Sequence, residues 1–90
     1  MIVVKKFSAD WCGPCRQLTP IIKTVMESVT GTVIETIDVD DDYEAAMKYG
    51  VRSVPTVVIE KNGKEVKRFV GLQSGPTYIS AINEAKNLDN

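Results

Sequence analysis

The sequence predicts an α/β fold: one four-stranded mixed sheet flanked by three helices, in the order β-α-β-α-β-β-α. Three observations predict it. Short runs rich in Val and Ile alternate with longer stretches whose apolar residues recur at spacings of three and four. Two strand-like runs near the C-terminal end are separated by Asn62-Gly63, a strong hairpin signal. The 90 residues suffice for one compact domain and are too few for two, so 1–90 is read as a single domain.

Taken in order, Ile2 to Phe7 is apolar and bounded by Ser8-Ala9-Asp10, which gives a buried first strand. A helical pattern follows from Cys12, with Leu18, Ile21, Ile22, Val25, Met26 and Val29 on one stripe. Pro20 lies inside that pattern, removes a backbone donor and is expected to kink the helix. Gly31 is expected to supply the helix stop. Thr32 to Val39 is the second strand. Of the acids Asp38, Asp40, Asp41 and Asp42, Asp41 has capping-box spacing to Glu44. The run is therefore read as the start of a helix ending near Gly50, ahead of a metal site.

Thr56 to Glu60 and Glu65 to Val70 form the hairpin, and Gly71 ends it. Ser74-Gly75-Pro76 opens the last helix, with proline in its first turn and Ile79, Ile82 and Ala85 facing inward. Strands joined by a helix run parallel through a right-handed crossover, whereas a hairpin is antiparallel, so the sheet is mixed with helices on both faces.

Composition narrows the function. A net charge of −1, with lysines and arginines scattered along the chain, provides no field for nucleic acid or an anionic membrane. No apolar run approaches the roughly 18 residues that span a bilayer. The N-terminus is apolar first and basic second, the reverse of a signal peptide, which points to the cytoplasm. Thiols are kept reduced there, so a structural disulfide is not expected.

Cys12 and Cys15 are the only cysteines, and there is no histidine. Structural zinc takes four sulfur or imidazole ligands, so no such site is expected within one chain. A Cys–His hydrolase is excluded for the same want of histidine. As a staple, so short a loop stabilises by roughly 2 kcal/mol, against more than about 4 for a long one. The C-x-x-C is therefore read as a redox pair. At a helix N-terminus Cys12 meets unpaired N–H groups and the positive end of the dipole, both of which favour the thiolate.

Trp11-Cys12-Gly13-Pro14-Cys15 at a strand-to-helix junction resembles the active site of the thioredoxin family. The resemblance extends over nearly the whole chain: Pro20 matches the helix proline, Val54-Pro55-Thr56 the cis-proline loop, Asn62-Gly63 the hairpin turn and Gly71 the glycine beside the active site. It implies a thioredoxin fold and a cis Val54-Pro55 bond packed against the cysteines. It also implies a protein-disulfide reductase: Cys12 attacks a target disulfide, and Cys15 resolves the mixed disulfide. No bound cofactor is implied beyond the redox-active Cys12–Cys15 disulfide. The partners implied are an NADPH-linked flavoprotein thioredoxin reductase and disulfide-containing targets such as ribonucleotide reductase; the default state is a monomer. Trp11, Ser53, Val54, Pro55 and Gly71 would contact targets, with the backbone of Val54 pairing an extended segment. Gly13 and Pro14 shape the ring, and this Gly-Pro pair resembles reductases. Arg16 is read first as a solvated helix charge, with mild support of the Cys12 thiolate as the alternative.

The chain departs from the family in three ways. It resembles short phage and microbial forms without the first strand and helix, so its second strand is expected at an exposed edge, where Glu35 discourages pairing. Lys6 stands where a buried aspartate is usual, and Thr36 where its companion lysine is. Lys6 either stabilises a Cys15 thiolate electrostatically or snorkels to solvent. Ser8 replaces an aromatic and Ser53 a glycine, which bears on target preference. Two other readings stay open: a glutaredoxin-like, glutathione-coupled reductase, and a non-catalytic accessory subunit.

Overall fold

Alternate residues of a strand point to opposite faces, and the first strand is buried on both, which makes it central. In the computed structural model, which describes residues 1–88, that strand is β1 (Ile2–Ser8). It is followed by α1 (Gly13–Ser28), β2 (Thr32–Asp38), α2 (Tyr43–Lys48), β3 (Thr56–Lys61), β4 (Lys64–Val70) and α3 (Gly75–Lys86). The sheet order is β2-β1-β3-β4. β1 runs parallel to β2, with Lys6 opposite Thr36, and antiparallel to β3, with Lys6 opposite Val57. β3 and β4 are antiparallel, joined at Asn62 and Gly63, both at positive φ as a tight hairpin turn requires.

One face of the sheet carries the main core. Ile2, Val4, Val57 and Ile59 meet Leu18, Ile22 and Val25 of α1 and Tyr78, Ala81, Ile82 and Ala85 of α3. Each fully buried large apolar side chain contributes roughly 1.5–3 kcal/mol. Tyr78 takes part because its hydroxyl accepts the Gln73 N–H at 3.1 Å and its ring meets Phe69 edge-on at 5.4 Å. The inward stripe of α3 therefore runs Tyr78, Ala81, Ile82, Ala85, with Ile79 only partly buried at its side.

The other face is covered by the short α2 and a polar network. Tyr49, just past α2, packs its ring on Phe7 at 5.4 Å and donates its hydroxyl to Glu60 at 2.8 Å. Lys5 donates to the Tyr49 hydroxyl and lies 3.4 Å from Glu60 and 3.7 Å from Glu35. The Tyr49 hydrogen bond, helped by the two carboxylates, holds the Lys5 ammonium above its ordinary pKa against the opposing effect of burial. A buried carboxylate survives here because it is paired and hydrogen-bonded.

Local stops differ from the expected ones. α1 ends at Ser28 with Val29 extended, so Gly31, at φ +66°, serves the turn into β2 and does not stop the helix. The cap of α2 is Asp42, whose carboxylate accepts the Ala45 N–H at 3.1 Å; Asp41 lies one residue too early to cap it. The helix α1 continues through Pro20, which withholds the N–H that would have reached the Arg16 carbonyl. β2 lies at the sheet edge, with Val33, Ile34, Glu35 and Thr36 exposed.

Candidate functional site

The junction of β1 and α1 presents the cysteines. Cys12 is extended and caps α1: its Sγ accepts the Cys15 N–H at 3.1 Å, the place a serine or aspartate oxygen takes at other helices. Pro14 sits in the first turn, where no backbone donor is missed. Cys12 and Cys15 form a disulfide with Cα atoms 5.2 Å apart. Both are 4% exposed and pack with Ala9, Val39 and Val54.

Trp11 stands 67% exposed beside this pair, far from the core. Its indole N–H donates to Asp40 at 2.9 Å, and Asp40 is held in turn by its own N–H on the Asp38 carboxylate at 2.9 Å. Between the indole and the loop before β3 lies a mostly apolar hollow of about 220 Å³, walled by Trp11, Val39, Tyr43, Ala46, Val51 and Val54. Asp40, Arg52 and Ser53 line it as well.

The Val54-Pro55 bond is cis, and Pro55 is buried. The loop is pinned at both ends: Thr56 Oγ1 donates to the Ser53 carbonyl at 2.8 Å, and the Gly71 N–H donates to the Pro55 carbonyl at 2.9 Å. Gly71 adopts φ +92°, and open space lies where its Cβ would be. Val54 packs on the cysteine cluster.

Lys6 is 7% exposed, and its ammonium donates to Thr19 Oγ1 at 3.4 Å. Thr19 passes the contact on, donating its hydroxyl to the Cys15 carbonyl at 3.2 Å. Burial pulls the Lys6 pKa below its ordinary value. The side chain also lines an open groove of about 400 Å³ with Ile22, Lys23, Met26 and Ile34, so it runs along the core and reaches the Cys15 turn only through Thr19. Arg16 is exposed and donates to the Asp10 carbonyl at 3.3 Å.

Three contributors were not singled out from sequence. Asp40 was grouped with a helix start, and its partner Trp11 is 29 residues away. Thr19 and Tyr43 carry no motif. Among the described residues no group of three His, Cys, Asp or Glu side chains is placed to hold a metal ion. Nor is any described helix long and apolar enough to cross a membrane.

The thioredoxin family model matches residues 1–84. The thioredoxin of Chlamydia caviae is 41% identical over 83 residues, covering 92% of this chain and 81% of that protein. That of Rickettsia conorii is 36% identical over 84 residues, covering 92% and 80%. Among solved structures, a mutant thioredoxin from Halobacterium salinarum superimposes with a TM-score of 0.90 at 39% identity, covering 99% of this chain and 78% of that one. Fasciola hepatica thioredoxin gives 0.86 at 37% identity, covering 93% and 80%. A disulfide at a helix cap, an exposed indole beside it and these similarities lead to one conclusion: the chain belongs to the thioredoxin family and is a thiol–disulfide oxidoreductase.

Proposed function

We propose that the chain works as a general protein-disulfide reductase, with Cys12 as nucleophile and Cys15 as resolving thiol. The observation that carries the assignment is the Cys12 cap: the Sγ that receives the Cys15 N–H would receive it as a thiolate after reduction. Cys12 attacks one sulfur of a target disulfide, and the target's other sulfur leaves as a thiolate. Cys15 then attacks Cys12, the bond between Cys12 and the target breaks, and the target departs reduced. Gly13 and Pro14 set the turn that brings the two sulfurs together. The apolar hollow beside Trp11, with Ser53 and Val54 on its far side, supports docking of an extended target segment, and Pro55 and Gly71 continue that loop and its anchor. Recharging falls to an NADPH-linked flavoprotein reductase, which places the work in a reducing compartment such as the cytoplasm, and a monomer suffices for it.

The test is NADPH-dependent reduction of insulin disulfides through a bacterial thioredoxin reductase. Turnover lost in Cys12→Ser, with a trapped mixed disulfide in Cys15→Ser, supports the assignment. Turnover only with glutathione and glutathione reductase would move it to a glutaredoxin-like role. Full biological function in Cys12→Ser would move it to an accessory subunit.

A further inference from the structure

Cys15 must shed a proton before it can resolve a mixed disulfide, and its surroundings restrict where that proton goes. The residue is 4% exposed, and Ala9, Val39 and Val54 pack around the pair. No histidine exists in the chain. The charged group buried behind the site is a cation, Lys6, which touches the Cys15 turn through the Thr19 hydroxyl. A neighbouring ammonium favours a thiolate but in its charged form takes no proton.

Beside Cys15 there is an opening. Cys15 borders a cleft of about 230 Å³ lined by Ser8, Ala9, Asp10, Arg16 and Thr19. Two hydroxyls, a carboxylate and a guanidinium line it, and its size admits water with several polar partners. Asp10 is the one carboxylate among these residues, and it is exposed. Arg16 is engaged on the Asp10 backbone carbonyl. Asp40 does not line the cleft and accepts the Trp11 indole N–H.

We propose that Cys15 loses its proton through this cleft, with Asp10 as acceptor, and that the small side chain of Ser8 keeps the route open. The Cys15 thiol proton passes by water to the Asp10 carboxylate and from there to bulk solvent. The Cys15 thiolate attacks Cys12 Sγ; the Cys12–target bond breaks, its electron pair leaves on the target sulfur, and that sulfur takes up a proton from solvent. The dithiol is oxidised by two electrons and the target disulfide reduced by two. Asp10 is here a proton acceptor, and Ser8 a positioning residue.

The inference rests on the reductase reading above, and the experiment separates the two. Reduced protein is mixed with Ellman's disulfide in a stopped-flow instrument: the first release of thionitrobenzoate reports attack by Cys12, the second resolution by Cys15. A wild-type chain with no first phase fails as a reductase. With that phase present, Asp10→Asn is expected to keep it while slowing the second at least about tenfold at pH 7, with recovery toward pH 9 as the thiolate forms unaided. Ser8→Phe, which fills the cleft, is expected to slow the second phase at every pH. A second phase at the wild-type rate at pH 7 in Asp10→Asn, which tests the idea even where Ser8→Phe folds poorly, overturns it. So does an unchanged second phase in folded Ser8→Phe.

Discussion

The Cys15 backbone N–H points at Cys12 Sγ from 3.1 Å, so the sulfur of one cysteine is capped by the amide of the other. After reduction this donor favours charge on Cys12 and does nothing comparable for Cys15. Iodoacetamide at pH 6, where an ordinary thiol is almost wholly protonated, is therefore expected to label Cys12 well before Cys15. Peptide mapping after brief alkylation checks the order. Equal labelling would mean that the cap does not operate in the reduced chain.

Lys6 sits in the fold at a cost. Because burial lowers its folded pKa below the ordinary 10.5, the unfolded chain binds the extra proton between the two values. Stability therefore rises with pH through that window, and the full penalty applies below it. Lys6→Met keeps the stem and discards the charge. It is expected to stabilise the chain by up to about 1 kcal/mol at pH 7, with the gain gone above pH 10.5. Urea unfolding at the two pH values reads the difference.

Tyr49 works through its hydroxyl, which takes the Lys5 proton donor and supplies one to buried Glu60. Tyr49→Phe leaves the ring on Phe7 and removes that link. The expected loss is about 1–3 kcal/mol, seen as a lower urea midpoint at unchanged slope. The sign for Lys5 is opposite to that for Lys6: its folded pKa is raised, so its contribution is present below about 10.5 and fades as pH climbs through the folded value. Tyr49→Phe should weaken that alkaline loss.

Gly71 has room for a methyl group but not the conformation for one. At φ +92° an L-residue is strained even in open space, so Gly71→Ala is expected to cost about 1–2 kcal/mol. The Gly71 N–H also holds the Pro55 carbonyl, so hydrogen exchange at the Gly71 amide or proteolysis near 53–56 provides a second readout.

Much of this was legible because it is local. The hairpin at Asn62-Gly63, the apolar stripe of α1 and the cysteines at its first turn are written within a few residues of one another. The α2 cap was misplaced by one because Asp41 and Asp42 are chemically equivalent candidates, and only the backbone decides between them. Tyr78 was passed over for Ile79 since one residue of phase turns the helix about 100°, and the pattern alone tolerates either. Trp11–Asp40 and Lys5–Tyr49 join residues 29 and 44 apart, and no periodicity encodes such pairs. The outcome for Lys6 was open in sequence because burial and a route to the groove both depend on α1 lying over β1.

The exposed indole, the cis loop and the disulfide share one rim of the molecule, and apart from the cleft beside Asp10 the cysteines are enclosed. That rim is a single socket. Whatever loads electrons and whatever draws them must occupy it in turn, never together, so donor and acceptor compete for the protein even when they share no sequence likeness. The kinetics expected of such a relay are ping-pong, with parallel lines in double-reciprocal plots, and an excess of either partner inhibits the other.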